Sequence, residues 1–206
     1  MILPTLEQEG IVGRLVKPHS KISRRVQNAD IIRVQREAKI MLQLCTLPIG
    51  IHEGGIAIAH PQIDKQDPLR FFVTKNDEVV INPVIIRQTK FKVPTQEGCL
   101  SFPMFKPGWT SRSHKVEIEY QEITKEGVLS DVKVAKLKGL QAHMVQHEIE
   151  HFDGKYVYDL AILEKPSDNS GDEQTTPSSS EENTDSSQSD VSQNENDGEA
   201  SVGNKA

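Results

Sequence analysis

The sequence predicts an α+β domain followed by a disordered acidic tail. Two segments repeat apolar residues at helical spacing, two pairs of short segments read as antiparallel hairpins, and the last forty residues have almost nothing to bury. The chain has 206 residues, 35% of them apolar, which suits one hydrophobic core and leaves too little for a second full domain. The expected division is a domain over residues 1–166 and a tail over residues 167–206.

The first helix is expected over residues 30–45, where Ile31, Val34, Ala38, Met41 or Leu42, and Cys45 recur three and four apart. Asp30 is the candidate cap. The helix should stop near Thr46, because Pro48 disfavours helical geometry in Leu47 and Gly50 soon follows. Cys45 then reads as a core residue. Residues 70–73 and 79–82 are β-rich and flank Asn76-Asp77, a turn signal, so they predict a hairpin.

Residues 115–120 alternate, with Val116, Ile118 and Tyr120 on one face, and Lys125-Glu126-Gly127 can turn the chain into a partner strand over 128–134. Between the hairpins, the Gly- and Pro-containing stretch 96–110 reads as an irregular connection. A second helix is expected over 138–152, with Leu140, Met144, His147 and His151 on one core-facing stripe and Gly154 past its end.

The tail holds ten Asp or Glu and one Lys, about −9, which leaves twenty acids against twenty-three bases in the remainder. A segment of Ser, Asn, Asp, Glu, Gln and Thr cannot offset its ordering entropy, so it is expected to be disordered and to carry no catalytic group. Cys45 and Cys99 lie far apart, and the start lacks the charged-then-apolar run of a secretory signal. A reducing, cytoplasmic setting is the default expectation. No apolar stretch approaches the roughly twenty residues of a membrane span, and no strongly basic face is readable, so neither membrane nor direct nucleic-acid binding is expected.

His147-Glu148-Ile149-Glu150-His151 has the form HExxH, which sets two imidazoles four residues apart on one helical face with a carboxylate next to the first. The bland alternative is a chance pattern on a solvated face. A mononuclear catalytic site needs a third protein ligand and an open position. Zincin peptidases often draw that ligand from a downstream Glu, but here the tail begins within about fifteen residues of His151. The metzincin pattern places a third His where this chain has Val157, after a correctly placed Gly154. Upstream, Glu97-Gly98-Cys99-Leu100-Ser101 offers a cysteine whose thiolate could complete a Cys-His-His set.

With Gly55-Ile56-Ala57-Ile58-Ala59-His60-Pro61-Gln62 added, the chain resembles a peptide deformylase, whose motifs are GφGφAAxQ, EGCLS and HExxH with φ apolar. The resemblance covers nearly all of residues 1–165, including the opening Met1-Ile2-Leu3-Pro4, Ile81-Asn82-Pro83 after the first hairpin, and Gly139-Leu140 ahead of the metal helix.

It implies antiparallel β-sheets wrapped around a central metal-binding α-helix. It also implies Cys99, His147 and His151 as ligands of one divalent metal, ferrous iron as the expected ion, with zinc and nickel as other occupants of such sites. Glu148 would be the general acid/base, while Gln62 and the Leu100 N–H would hold the formyl oxygen. Ile56, Ala57, Leu140 and Met144 would line the substrate groove, although apolar helix residues serve equally as core. Arg112 matches a position near the substrate backbone, with an exposed salt bridge as its alternative. His143 falls where the family is apolar, so packing or support of the site is expected.

The implied activity is removal of the formyl group from formyl-methionine at the start of nascent peptides. The expected partners are those peptides, near the ribosome, with the chain as a monomer. Motif one departs from the family pattern at Ala57, where Gly belongs, and at His60, where Ala belongs. Two rival readings follow: a deformylase-like metal binder with weak or altered activity, and an HExxH metallopeptidase.

Overall fold

The computed structural model describes residues 10–160. Helix α1, Ile31–Thr46, forms as its spacing predicts and buries Ile31, Val34, Ala38, Met41, Leu44 and Cys45. It ends where Leu47 turns extended ahead of Pro48 (φ −87°, ψ 143°). Asp30 occupies the cap position without capping, because a 3₁₀ turn, Asn28–Asp30, already leads into the helix. Its carboxylate instead accepts from the Arg24 guanidinium and the Gln27 N–H, each at 2.8 Å.

Seven strands follow: β1 Ala57–Ala59, β2 Phe71–Thr74, β3 Val79–Gln88, β4 Lys92–Glu97, β5 Gly108–Ser113, β6 Lys115–Gln121 and β7 Lys133–Lys138. They make an antiparallel five-stranded sheet in the order β1-β2-β3-β6-β7 and a separate antiparallel pair, β4-β5. Helix α2, Leu140–Phe152, and a short α3, Val157–Leu160, follow the strands. The architecture is α+β, with antiparallel sheets and one long helix on each face of the larger sheet.

Side-chain alternation along the buried strands creates two cores. On β2, Phe71 and Val73 face α1 and pack with Val34, Met41 and Leu44, while Phe72 faces α2 and packs with Val145, Ile149 and Phe152. On β1, Ile58 joins the α1 core and Ala57 and Ala59 join the α2 core. Methyl side chains on that face keep β1 close to α2, which brings motif one beside the helix that carries HExxH.

Three expectations need correction. The stretch 96–110 contains the end of β4 and the start of β5, a pair hidden by Pro94 and by polar side chains on both faces. The last strand begins at Lys133 rather than 128, since near residue 130 the Ser130 hydroxyl accepts from the Glu122 N–H in place of a carbonyl partner. That strand then runs to Lys138, so α2 starts at Leu140 and not at 138. The tail over 167–206 and the opening Met1-Ile2-Leu3-Pro4 lie outside the described residues.

Past α2, Gly154 adopts φ +66°, and a Cβ there would meet the Ser20 backbone at 2.6 Å. Gly127 has a similar φ of +76° with open space around it. Gly127→Ala should therefore cost only the backbone penalty, about 1 kcal/mol, while Gly154→Ala should cost clearly more because backbone atoms must move. Urea unfolding of both variants measures the difference, and equal losses would show that the Ser20 contact carries no weight.

Candidate active site

The HExxH turns of α2 bring the His147 and His151 rings to 4.8 Å between centroids, edge to face. Each ring is held from behind through Nδ1: His147 by Glu97 Oε2 at 3.0 Å, His151 by the Lys155 carbonyl at 3.2 Å. Such outer contacts fix the tautomer and leave Nε2 free to bind a cation. Cys99, in the loop after β4, places Sγ 3.4 Å from His151 Nε2, and one ligand atom from each of Cys99, His147 and His151 lies within 4.8 Å of the others. Ligands about 2.0–2.3 Å from a tetrahedral ion stand roughly 3.3–3.8 Å apart, so the set fits one thiophilic divalent ion.

Glu148 is buried beside the first ligand, and its Oε2 has no partner among the described residues. Burial pushes its pKa up to about 7, with Glu97 adding to the rise and His147 and Arg112 opposing it. A carboxyl group poised there can take up and release a proton near neutral pH. A buried polar atom left open next to three convergent metal-type ligands is what a site prepared for metal and water would show.

Gln62 ends a 3₁₀ turn, His60–Gln62, that follows β1. Its Oε1 accepts from the Ala59 N–H at 2.8 Å, which fixes the amide so that Nε2 faces Cys99 Sγ at 3.6 Å and Ser101 Oγ at 3.1 Å. The Leu100 N–H has no backbone partner among the described residues. Gln62, Leu100, Cys99, His147 and Glu148 share the wall of one cleft of about 240 Å³.

Ile56, Ala57, Leu140 and Met144 line the same cleft. Leu140 is 66% exposed, so the stripe Leu140–Met144–His147–His151 does not simply face the core as its periodicity suggested. The core face of α2 is Ala142, Val145, Ile149 and Phe152, rotated away from it. His143 also lines the cleft, stands outside the ligand set, and hydrogen-bonds Thr95 Oγ1 through Nδ1 at 3.2 Å.

Arg112 is not at the groove. Its side chain is 4% exposed and locked between carboxylates, with Nε and Nη2 to Glu97 at 2.8 and 2.7 Å and Nη1 to Glu150 at 2.5 Å. The salt-bridge alternative is thus the better description, but the bridge is buried. Burial raises the Glu97 pKa, yet hydrogen bonds from Arg112 and His147 outweigh it and hold the value at about 2. Sequence reasoning quoted Glu97 within motif two without giving it a task. It also missed His52, which lines the cleft from the loop before β1.

Fold and site together define an α+β protein with a candidate mononuclear metal centre on its long second helix. A family model described as polypeptide deformylase matches residues 15–166. The chain belongs to the polypeptide deformylase family. It is 35% identical to a peptide deformylase of Staphylococcus epidermidis over 124 residues, 55% of this chain and 64% of that one. It is 31% identical to that of Lactobacillus gasseri, covering 56% and 65%. The chain thus spans a little under two thirds of the length of these curated relatives. Among solved structures it resembles a peptide deformylase of Plasmodium falciparum, with TM-score 0.58, 27% identity and coverage of 72% and 86%. That of Thermus thermophilus gives TM-score 0.55, 29% identity and coverage of 70% and 85%.

Arg112→Met should strand the buried Glu97 and Glu150 carboxylates and lower stability by about 3–5 kcal/mol. It should also weaken metal binding by roughly 10–100-fold through loss of His147 orientation. Denaturant unfolding and a metal-buffer titration measure the two effects, and unchanged metal affinity would remove Glu97 from the support of His147.

Proposed function

We propose that this protein removes the formyl group from N-terminal formyl-methionine of newly made peptides and releases formate. The observation that carries this reading is the buried Glu148 Oε2, without a partner among the described residues, in one cleft with Cys99 and His147 of the ligand trio and with Gln62 and Leu100. Cys99, His147 and His151 would hold one divalent ion, with ferrous iron the expected species and zinc or nickel able to replace it. Such an ion supplies Lewis acidity, polarising a carbonyl and making water a nucleophile at neutral pH.

The chain's own groups account for the remaining requirements. Glu148 can accept a proton from the attacking water and return it to the departing amine, and its raised pKa suits both transfers. Gln62 Nε2 and the Leu100 N–H can donate to the oxyanion that develops on the formyl oxygen. Among the described residues β1 pairs only with β2, so an extended peptide can lie along its other edge. Ile56, Leu140 and Met144 then give the methionine side chain an apolar wall. Nascent chains are the natural source of such peptides, so a cytoplasmic monomer working on chains leaving the ribosome is the setting we infer.

A peptidase reading is less well supported. Val157, at the position of a metzincin's third His, is 1% exposed and shares a small core cluster with Tyr156 and Cys99, where its apolar side chain offers no ligand atom. The weakened-deformylase reading rests on Ala57, where the family pattern has glycine; the residue borders the cleft, but its side chain packs in the α2 core.

Formate release from a formyl-Met peptide by the metal-loaded protein tests the activity, and cleavage of unformylated peptides instead would overturn it. Glu148→Gln should keep its metal and lose turnover by about 10²–10⁴-fold. Equal loss of metal would show that the carboxylate ligates rather than moves protons.

A further inference from the structure

His60 departs from the family pattern, and the structure shows where its ring goes. The side chain is fully buried, tilted against the Phe71 ring with centroids 4.8 Å apart, and does not line the cleft although Gln62, two residues on, does. Its Nδ1 accepts from the Leu69 N–H at 2.9 Å, so the ring proton sits on Nε2 and is donated to Glu37 Oε2 at 2.5 Å. Glu37 projects from the buried face of α1 and is itself paired with Arg33 at 3.2 Å and Arg36 at 2.9 Å. Asp64 lies near enough to suggest a second cation site with Glu37 and His60, but the Arg33 guanidinium already bridges Glu37 and Asp64.

The imidazole therefore ties three segments together: α1 through Glu37, the backbone before β2 through Leu69, and its own turn. That turn is closed by Ile63 and Asp64 N–H groups donating to the His60 carbonyl at 2.9 and 3.1 Å. Residues on either side of His60 set the Gln62 amide, whose Oε1 takes the Ala59 N–H while Nε2 faces the Cys99 loop. A side chain whose bulk reads as crowding motif one is an anchor pointing the other way, toward Glu37 and Leu69.

We propose that the buried Glu37–His60 pair is a positioning device for Gln62, holding the turn so that the amide donor meets the formyl oxygen, and that the two residues act as one unit. Restoring the family's alanine at 60 alone should then impair the enzyme rather than improve it. The kinetic part rests on the deformylase reading, since it concerns the oxyanion donor of that reaction. Because Gln62 acts mainly as charge develops, the loss should fall on kcat and spare KM.

The test compares the parent with His60→Ala, Glu37→Leu, the double variant and the conservative His60→Gln, all at matched metal content. It reads kcat and KM on a formyl-Met peptide and hydrogen exchange of the Ala59 amide, whose proton bonds Gln62. Each of His60→Ala and Glu37→Leu should lower kcat by about tenfold or more with KM within about threefold, and should speed Ala59 exchange about tenfold or more. The double variant should lose no more than the worse single, and His60→Gln, which can still donate to Glu37, should recover most of the loss.

Single variants that leave kcat and Ala59 exchange unchanged, a double variant whose losses multiply, or a loss confined to KM would each overturn the proposal. If His60→Ala does not fold, Glu37→Leu and His60→Gln decide it by the same two readings. If the parent itself releases no formate, the proposed activity fails, and Ala59 exchange alone still confirms or overturns the clamp.

Discussion

The Arg112 guanidinium is buried where β5, the end of β4 and helix α2 meet, and its charge is answered by one carboxylate from each of the last two. Glu97 in turn holds His147 and stands two residues before Cys99. One buried cation thereby sets the cysteine loop against the helix that carries both imidazoles. Removing a partner from such a network leaves an uncompensated buried charge, whereas keeping all of them fixes relative position at little net gain in stability. The candidate metal centre depends on this frame more than on the stability of either element alone.

The other half of the site depends on close approach. β1 is buried on both faces, and its small residues, Ala57 and Ala59, are what let α2 cross near it. Motif one thus supplies backbone and a single glutamine amide, motif two the thiol, and motif three the imidazoles and the carboxylate. The site lies where β1, the Cys99 loop and α2 converge, and each contributes a group that the others cannot.

Much of this was legible in the sequence because it is local. The spacing of HExxH fixes two rings on one face of a helix, and the end of α1 at Thr46 follows from Pro48. The Asp77 turn announces the β2-β3 hairpin, with φ +64° at that residue. What escaped is non-local. Nothing near Arg112 in the chain announces Glu97, fifteen residues away, or Glu150, thirty-eight away, as its partners. The β4-β5 pair was hidden because strands with polar side chains on both sides show no alternation. Likewise, helical periodicity could place Leu140 and Met144 on a stripe, but only the packed fold shows that the stripe borders a cleft while Val145 and Ile149 take the core.

His60 shows the same limit from the other side. As a letter in a motif it is a bulky intruder, and its meaning changes once Glu37, twenty-three residues earlier, is seen against it. A departure from a family pattern can be absorbed by a residue that only the fold brings near.

X-ray absorption at the metal edge of the loaded protein, with iron or zinc, tests the central claim most directly. The account predicts one metal per chain with one sulfur at about 2.3 Å and two imidazole nitrogens at about 2.0–2.1 Å in its first shell. A shell without sulfur, or one with a third imidazole from His143 or His52, would contradict it.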